Sequence, residues 1–94
     1  MKIIKVENNK KKYLDLLLLG DEQESMIDLY LDKGDMFVAA DNGVKAECVV
    51  VKCEDRVYEL KNIAVAPEFQ RMGYGKKLVE YILSYYNDCD TMYV

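Results

Sequence analysis

No other part of this chain leaves as little freedom as Asn62 to Leu83, NIAVAPEFQRMGYGKKLVEYIL. Ile63, Ala64 and Val65 are small or β-branched and stop at Pro67, the only proline, so they read as the end of a strand. Leu78, Val79, Ile82, Leu83 and Tyr86 then recur at helical period and form one apolar stripe. Between strand and helix lies Gln70-Arg71-Met72-Gly73-Tyr74-Gly75-Lys76. Such a loop is suited to capturing an anion. The first amides of a helix have no internal partner, and the helix dipole is positive there. Gly73 and Gly75 let the backbone turn sharply and approach a ligand closely, and Arg71, Lys76 and Lys77 add positive charge. A pyrophosphate fits this place.

Two common phosphate motifs fail here. A Walker loop needs Ser or Thr after its Gly-Lys and a glycine five positions before the second one; the chain has Lys77 and Gln70 at those places. The dinucleotide fingerprint needs a third glycine where Leu78 stands, and it follows its strand directly, whereas Pro67 to Gln70 intervene here. The pattern that does match is Q/R-x-x-G-x-G/A, read as Gln70, Gly73 and Gly75. With the preceding I-A-V-x-P and the following K-K-L-V-x-Y-I-L, the stretch resembles the acyl-CoA-binding motif of the GCN5-related N-acetyltransferase (GNAT) family.

The remainder of the chain narrows the alternatives. Its 94 residues, 51% apolar and 32% charged, make one small globular domain over residues 1–94. A formal charge of −4, with no basic patch interleaved with aromatics, argues against nucleic acid. The longest apolar run, Leu16 to Leu19, is far too short to span a membrane, and MKIIKVENNKKK has no signal-peptide core. The expected compartment is the cytoplasm. Cys48, Cys53 and Cys89 fit no zinc spacing and read as reduced thiols, so no metal is expected. The absence of histidine removes Ser-His and Cys-His nucleophiles and any histidine base.

Taken in order, Lys2 to Val6 reads as a first strand. Tyr13, Leu14, Leu17 and Leu18 form a helical stripe that Gly20 stops, by the usual glycine C-cap. Asp21 and Glu24 resemble a capping box for a second helix bearing Met26, Ile27, Tyr30 and Leu31, which Gly34 ends. Met36 to Ala40, a tight Asn42-Gly43 hairpin turn, Val44 to Cys53 and Val57 to Val65 read as a three-stranded meander, with Val44, Ala46, Cys48 and Val50 on one face. After the motif helix, Thr91 to Val94 begin a fifth strand. The order β-α-α-β-β-β-α-β implies an α/β (α+β) fold with a mixed sheet, the last strand parallel to the fourth. It is also the N-terminal order of the acyl-CoA N-acyltransferase fold that the motif implies. That fold normally adds a helix and two strands, so the resemblance describes a form truncated after the fifth strand. Self-association into a homodimer through the exposed C-terminal strand is expected.

The resemblance also implies chemistry. In this family an amine attacks the thioester of acetyl-CoA directly, without a covalent enzyme intermediate. The expected activity is N-acetyl transfer from acetyl-CoA, as cosubstrate, to a primary amine on a small molecule or peptide. The alternative is a non-catalytic acyl-CoA-binding or self-associating fragment. By the resemblance, backbone groups of Ile63, Ala64 and Val65 meet the pantetheine arm, and Gln70, Arg71, Met72, Gly73, Tyr74, Gly75 and Lys76 surround the pyrophosphate. Glu59, eleven positions before Gln70, stands where some members carry a glutamate base; read alone, it is equally a solvated carboxylate paired with Lys61. The tyrosine acid that many members use falls after the fifth strand, and Tyr74, Tyr81, Tyr85, Tyr86 and Tyr93 do not match it. Asp21, Glu22 and Glu24, beside the loop that lines the acceptor cleft in the family, are acidic; a capped and charged helix start explains them better than attraction of a cationic amine does.

Overall fold

A computed structural model describes residues 1–94. Five strands form one sheet in sequential order: β1 (Lys2–Val6), β2 (Asp35–Ala40), β3 (Val44–Glu54), β4 (Val57–Val65) and β5 (Thr91–Tyr93). Neighbours are antiparallel except β4 and β5, which run parallel. A 3-10 turn (Lys10–Tyr13), α1 (Leu14–Gly20) and α2 (Glu24–Asp28) lie between β1 and β2, and α3 (Tyr74–Tyr85) connects β4 to β5. The mixed α+β sheet expected from the sequence is therefore present. No helix is long and apolar enough to cross a membrane.

Helices cover both faces of the sheet, which divides the core in two. On the α3 face, Leu78, Ile82 and Tyr86 pack on Phe37, Ala39, Ala46, Cys48, Val50 and Leu60. On the α1–α2 face, Leu17, Ile27, Tyr30 and Leu31 pack on Met36, Val38, Val49 and Val51. β3 is thus buried on both sides, as a central strand under two helical layers must be. The hairpin turn has the expected backbone, with φ of 56° at Asn42 and 99° at Gly43.

Four local readings need correction. The second helix does not run to Gly34: α2 ends at Asp28, and Tyr30 and Leu31, still buried against the sheet, lie in the turns that follow it. Val44 does not share a face with Ala46, Cys48 and Val50. The register slips from Ala39↔Ala46 to Ala40↔Val44, so Lys45 is an inserted bulge residue and Val44 turns to the α1–α2 side. Gly20 is not a left-handed C-cap: it is the last residue of α1, and positive φ among glycines occurs only at Gly43 and Gly73. Asp21 and Glu24 form no capping box. Asp21 Oδ1 accepts from the Gln23 amide at 3.4 Å, while Glu24 Oε2 accepts from Lys11 Nζ at 2.6 Å. The α2 N-cap, Gln23, makes no side-chain cap bond. The long Lys11 side chain offers Glu24 a full charge, which outcompetes a backbone amide.

A second bulge shapes β4. Val49 pairs with Asn62 but Val50 pairs with Leu60, leaving Lys61 as the inserted residue. Below it, Tyr58 and Leu60 face α3 and Glu59, opposite Val51, faces α1–α2. Above it the phase is reversed: Asn62 faces α1–α2, and Ile63 and Val65 face α3.

Candidate active site

The groove begins where the sheet opens. β5 pairs with β4 only from Val57↔Thr91 to Glu59↔Tyr93, so Leu60 to Val65 have no strand neighbour on that side. The hydrogen-bond phase says which backbone groups are free. The Ala66 amide donates to Lys45 O at 2.8 Å, so alternate residues, Ala64 and Asn62, address β3. Ile63 and Val65 turn their N–H and C=O groups to the open side. Val65 O already receives Gln70 Nε2 at 3.3 Å, which ties the loop back to the strand end.

From there the chain passes through a 3-10 turn (Pro67–Phe69) into the glycine loop. Arg71 has φ of 65° and Gly73, the N-cap of α3, has φ of 89°. These two left-handed residues bend the backbone so that the loop amides meet the start of a twelve-residue helix. The first helical bond, Lys77 N to Gly73 O at 3.0 Å, leaves the preceding amides without intrahelical partners. Gly75 sits over the strand: a Cβ there would lie 3.5 Å from Val65 Cγ2.

Strand end and loop enclose a groove of about 520 Å³ lined by Ile63, Ala64, Val65, Gln70, Arg71, Gly73, Tyr74, Gly75 and Lys76, together with Leu19 and Phe69. Of the residues assigned to cofactor binding from the sequence, only Met72 is outside this lining, and it is 64% exposed. Leu19 and Phe69 carry no signal as site residues in the sequence. Leu19 arrives from α1, far away in the chain, and Phe69 is recognisable only through its neighbours: Lys45 Nζ lies 4.0 Å from its ring centroid, and Tyr74 meets it edge-on at 6.4 Å. Tyr74 donates to Asp41 Oδ2 at 3.2 Å, fastening the loop to the hairpin tip; partial desolvation, then Asp41, raises its phenol pKa. Arg71, Lys76 and the nearby Lys45 give this end of the groove a positive field in a chain of net charge −4.

Glu59 is not in this lining. It lies on the α1–α2 side of β4, half-exposed, with Oε1 3.5 Å from Lys61 Nζ. Lys61 Nζ is also 5.8 Å from the Tyr30 ring centroid. Deeper on the same side, Asn62 donates from Nδ2 to Leu17 O and to Tyr30 Oη, both at 3.0 Å, and Tyr30 donates on to Asp21 Oδ2 at 3.3 Å. Burial raises the Tyr30 phenol pKa, and the Asn62 bond partly offsets it. This network fixes the α1–α2 connection against the bulged part of β4. Sequence pattern does not identify it. Its only outward sign is a polar residue between Lys61 and Ile63 in an otherwise apolar strand end. No cluster of three or more Cys, Asp or Glu side chains is arranged to hold a metal ion.

Comparison with known proteins agrees with this architecture. Residues 32–94 match the family model of the acetyltransferase (GNAT) domain. The chain is 38% identical over 74 residues to the uncharacterized N-acetyltransferase YvbK of Bacillus subtilis (strain 168), covering 78% of this chain and 47% of that protein. Among solved structures it resembles a Bacillus subtilis acetyltransferase in complex with CoA, with TM-score 0.87 and 30% identity over 97% of this chain and 62% of that one. It also resembles a GNAT family acetyltransferase from Elizabethkingia anophelis with acetyl-CoA bound, with TM-score 0.82 and 34% identity over 93% and 58% of the respective chains. The IAA acetyltransferase from Bacillus cereus ATCC 14579 gives TM-score 0.83 and 32% identity over 92% and 57%. The chain therefore spans about half the length of the curated relative and about three fifths of these solved chains.

Proposed function

Because this chain belongs to the GNAT acetyltransferase family, we propose that it transfers an acetyl group from acetyl-CoA to a primary amine by direct attack. The observation that carries the reading is the continuity of one groove. An unpaired strand edge at Ile63–Val65 runs straight into a glycine loop with free amides and cations at a helix start. An extended amide-bearing arm pairs with such an edge as an added strand would, and a pyrophosphate occupies the helix start. The relatives solved with CoA or acetyl-CoA bound support this choice of ligand.

In the proposed reaction the amine nitrogen attacks the thioester carbon, a C–N bond forms, and the C–S bond breaks with its electron pair leaving on sulfur. The open amide of Val65 is the oxyanion donor nearest the strand end. Glu59 takes one proton from the acceptor ammonium, directly or through water, to free the attacking amine; the adduct nitrogen releases its second proton to solvent, and the thiolate is reprotonated from solvent. The acceptor amine approaches from the α1–α2 side, where Glu59, Asp21 and Tyr30 lie. A second reading, a non-catalytic acyl-CoA-binding module, is favoured by one observation: Glu59 is ion-paired with Lys61 and outside the groove lining.

The first test is a thermal melt with acetyl-CoA and, as control, ATP. Ligand at a hundred times its Kd stabilises by about 2.7 kcal/mol, a rise on the order of 10 °C for a domain this size. A shift with acetyl-CoA and none with ATP is the expected result. No shift with acetyl-CoA overturns both readings.

A further inference from the structure

Glu47 is the most anomalous residue in the molecule. It is fully buried, both carboxylate oxygens lack a hydrogen-bond partner, and it enters no ion pair. One other buried side-chain atom shares this condition, Asn62 Oδ1, on a residue only 3% exposed. Buried acceptors without donors are costly and rare in native structures, so three in one layer call for an explanation.

Register brings them together. Glu47 pairs with Ala64 and Asn62 with Val49, which places Glu47 and Asn62 diagonally on the α1–α2 face of adjacent strands. Diagonal neighbours are about 7–8 Å apart at the backbone, within reach of a glutamate meeting an asparagine. Ala64, directly opposite Glu47, adds no bulk between them. The amide cannot be turned round to solve the problem. Leu17 O only accepts, so the NH2 end of Asn62 must face it, and Oδ1 must point the other way. Oδ1 lies against Gly20, which offers it no side-chain donor; a proton on Glu47 would supply the donor that it lacks.

We propose that Glu47 is a positioning residue: it stays a neutral carboxylic acid and donates its O–H to Asn62 Oδ1, fixing the amide that ties α1 and Tyr30 to β4. This rests on the reading that the α1–α2 side of β4 receives the amine, because that is the wall the network holds in place. The surroundings favour the neutral form. Burial alone pushes the Glu47 carboxyl up from 4.5 to about 8. The titratable groups coupled to it are Tyr30 and, through it, Asp21 from the helical layer, and Cys48 beside it on β3; Glu59 and Lys61, farther along β4, pair with each other.

The test uses the whole chain with Glu47→Gln and Glu47→Met, and carboxyl carbon NMR on the unsubstituted protein. The NMR signal of Glu47 should stay protonated at neutral pH. Gln carries an N–H that replaces the acid proton, whereas Met has similar bulk and no donor. The melting temperature of the Gln variant should match the parent below about pH 4.5, exceed it increasingly as pH rises to about 8, and then hold a constant margin. Sign and window come from the raised carboxyl: the parent keeps its full stability only while the unfolded chain is also protonated. The Met variant should melt below the Gln variant at neutral pH, and its amides from Gly20 to Gln23 should exchange faster with solvent than those of the Gln variant. A Glu47 carboxyl titrating near 4.5, a pH-independent margin, or equal behaviour of Met and Gln overturns the proposal. If the Met variant does not fold, the NMR titration and the Gln margin still decide. None of these readouts needs acetyl-CoA or turnover, so their outcome is separable from that of the proposed function.

Discussion

Replacing Gly20 by alanine should destabilise this protein, although a glycine-to-alanine change within a helix ordinarily stabilises it by about 0.5–1 kcal/mol. The reversal comes from one contact. A Cβ on Gly20 would stand 2.1 Å from Asn62 Oδ1, 2.8 Å from its Cγ and 3.1 Å from the Ile63 carbonyl oxygen. The carbonyl belongs to the backbone of β4, so the amide must move. Its movement strains or breaks two 3.0 Å bonds, to Leu17 O and Tyr30 Oη, inside a buried layer. Two net hydrogen bonds at about 1 kcal/mol each, with at least one buried group left unpaired at about 1–3 kcal/mol, exceed the helical gain. The net loss is about 2 kcal/mol, or roughly 8–16 °C of melting temperature for a domain of this size. Thermal and urea unfolding of Gly20→Ala measure it, and the same change in an Asn62→Ala background isolates the cause. With Asn62 truncated, the substitution should be close to neutral. A Gly20→Ala protein that melts higher than its parent, or that loses the same stability with and without Asn62, refutes the reasoning.

Two further outcomes concern the groove. Gly75→Ala should keep or slightly raise stability, since its Cβ makes only an ordinary 3.5 Å contact with Val65 in the first turn of α3, while reducing the acetyl-CoA-induced shift in melting temperature; an unchanged shift argues against close approach of the ligand to that backbone. Glu59→Gln should cut turnover by roughly 10²–10⁴-fold and leave the acetyl-CoA shift intact, and unchanged turnover removes Glu59 from the mechanism.

Local pattern carries much of the fold. The strands, the Asn42-Gly43 turn and the α3 stripe are set by alternation, turn chemistry and helical period, and the structure holds them within a residue or two. The groove is legible for a different reason: backbone shape at Gly73 and free helix-start amides depend on sequence neighbours alone. Register is invisible to period-two reasoning. Lys45 and Lys61 look like ordinary outward residues, yet each is an extra residue in its ladder and flips the facing of the residues beyond it. Glu47 looks equally ordinary, a polar residue alternating with apolar ones. It is buried because α1 and α2 cover the face to which alternation assigns it, a fact of tertiary packing. Gly20 reads as a helix stop because glycine often is one; its actual constraint is an asparagine 42 positions later in the chain.

The inserted Lys61 gives β4 a change of phase at mid-length. A regular strand divides its side chains between two layers by parity alone, so a single segment cannot offer odd-numbered residues to both. Here it does: Glu59 looks to the helical pair while Ile63 and Val65, also odd, look to α3. The extra residue works like a half-turn in a ribbon, letting one edge serve two neighbours with unrelated demands. Shortening β4 by that residue would leave its composition almost unchanged and its strand propensity intact. It would nevertheless exchange the partners of every side chain on one side of the cut, so the spacing from Glu59 to the glycine loop is as much a determinant of this protein as any residue within it.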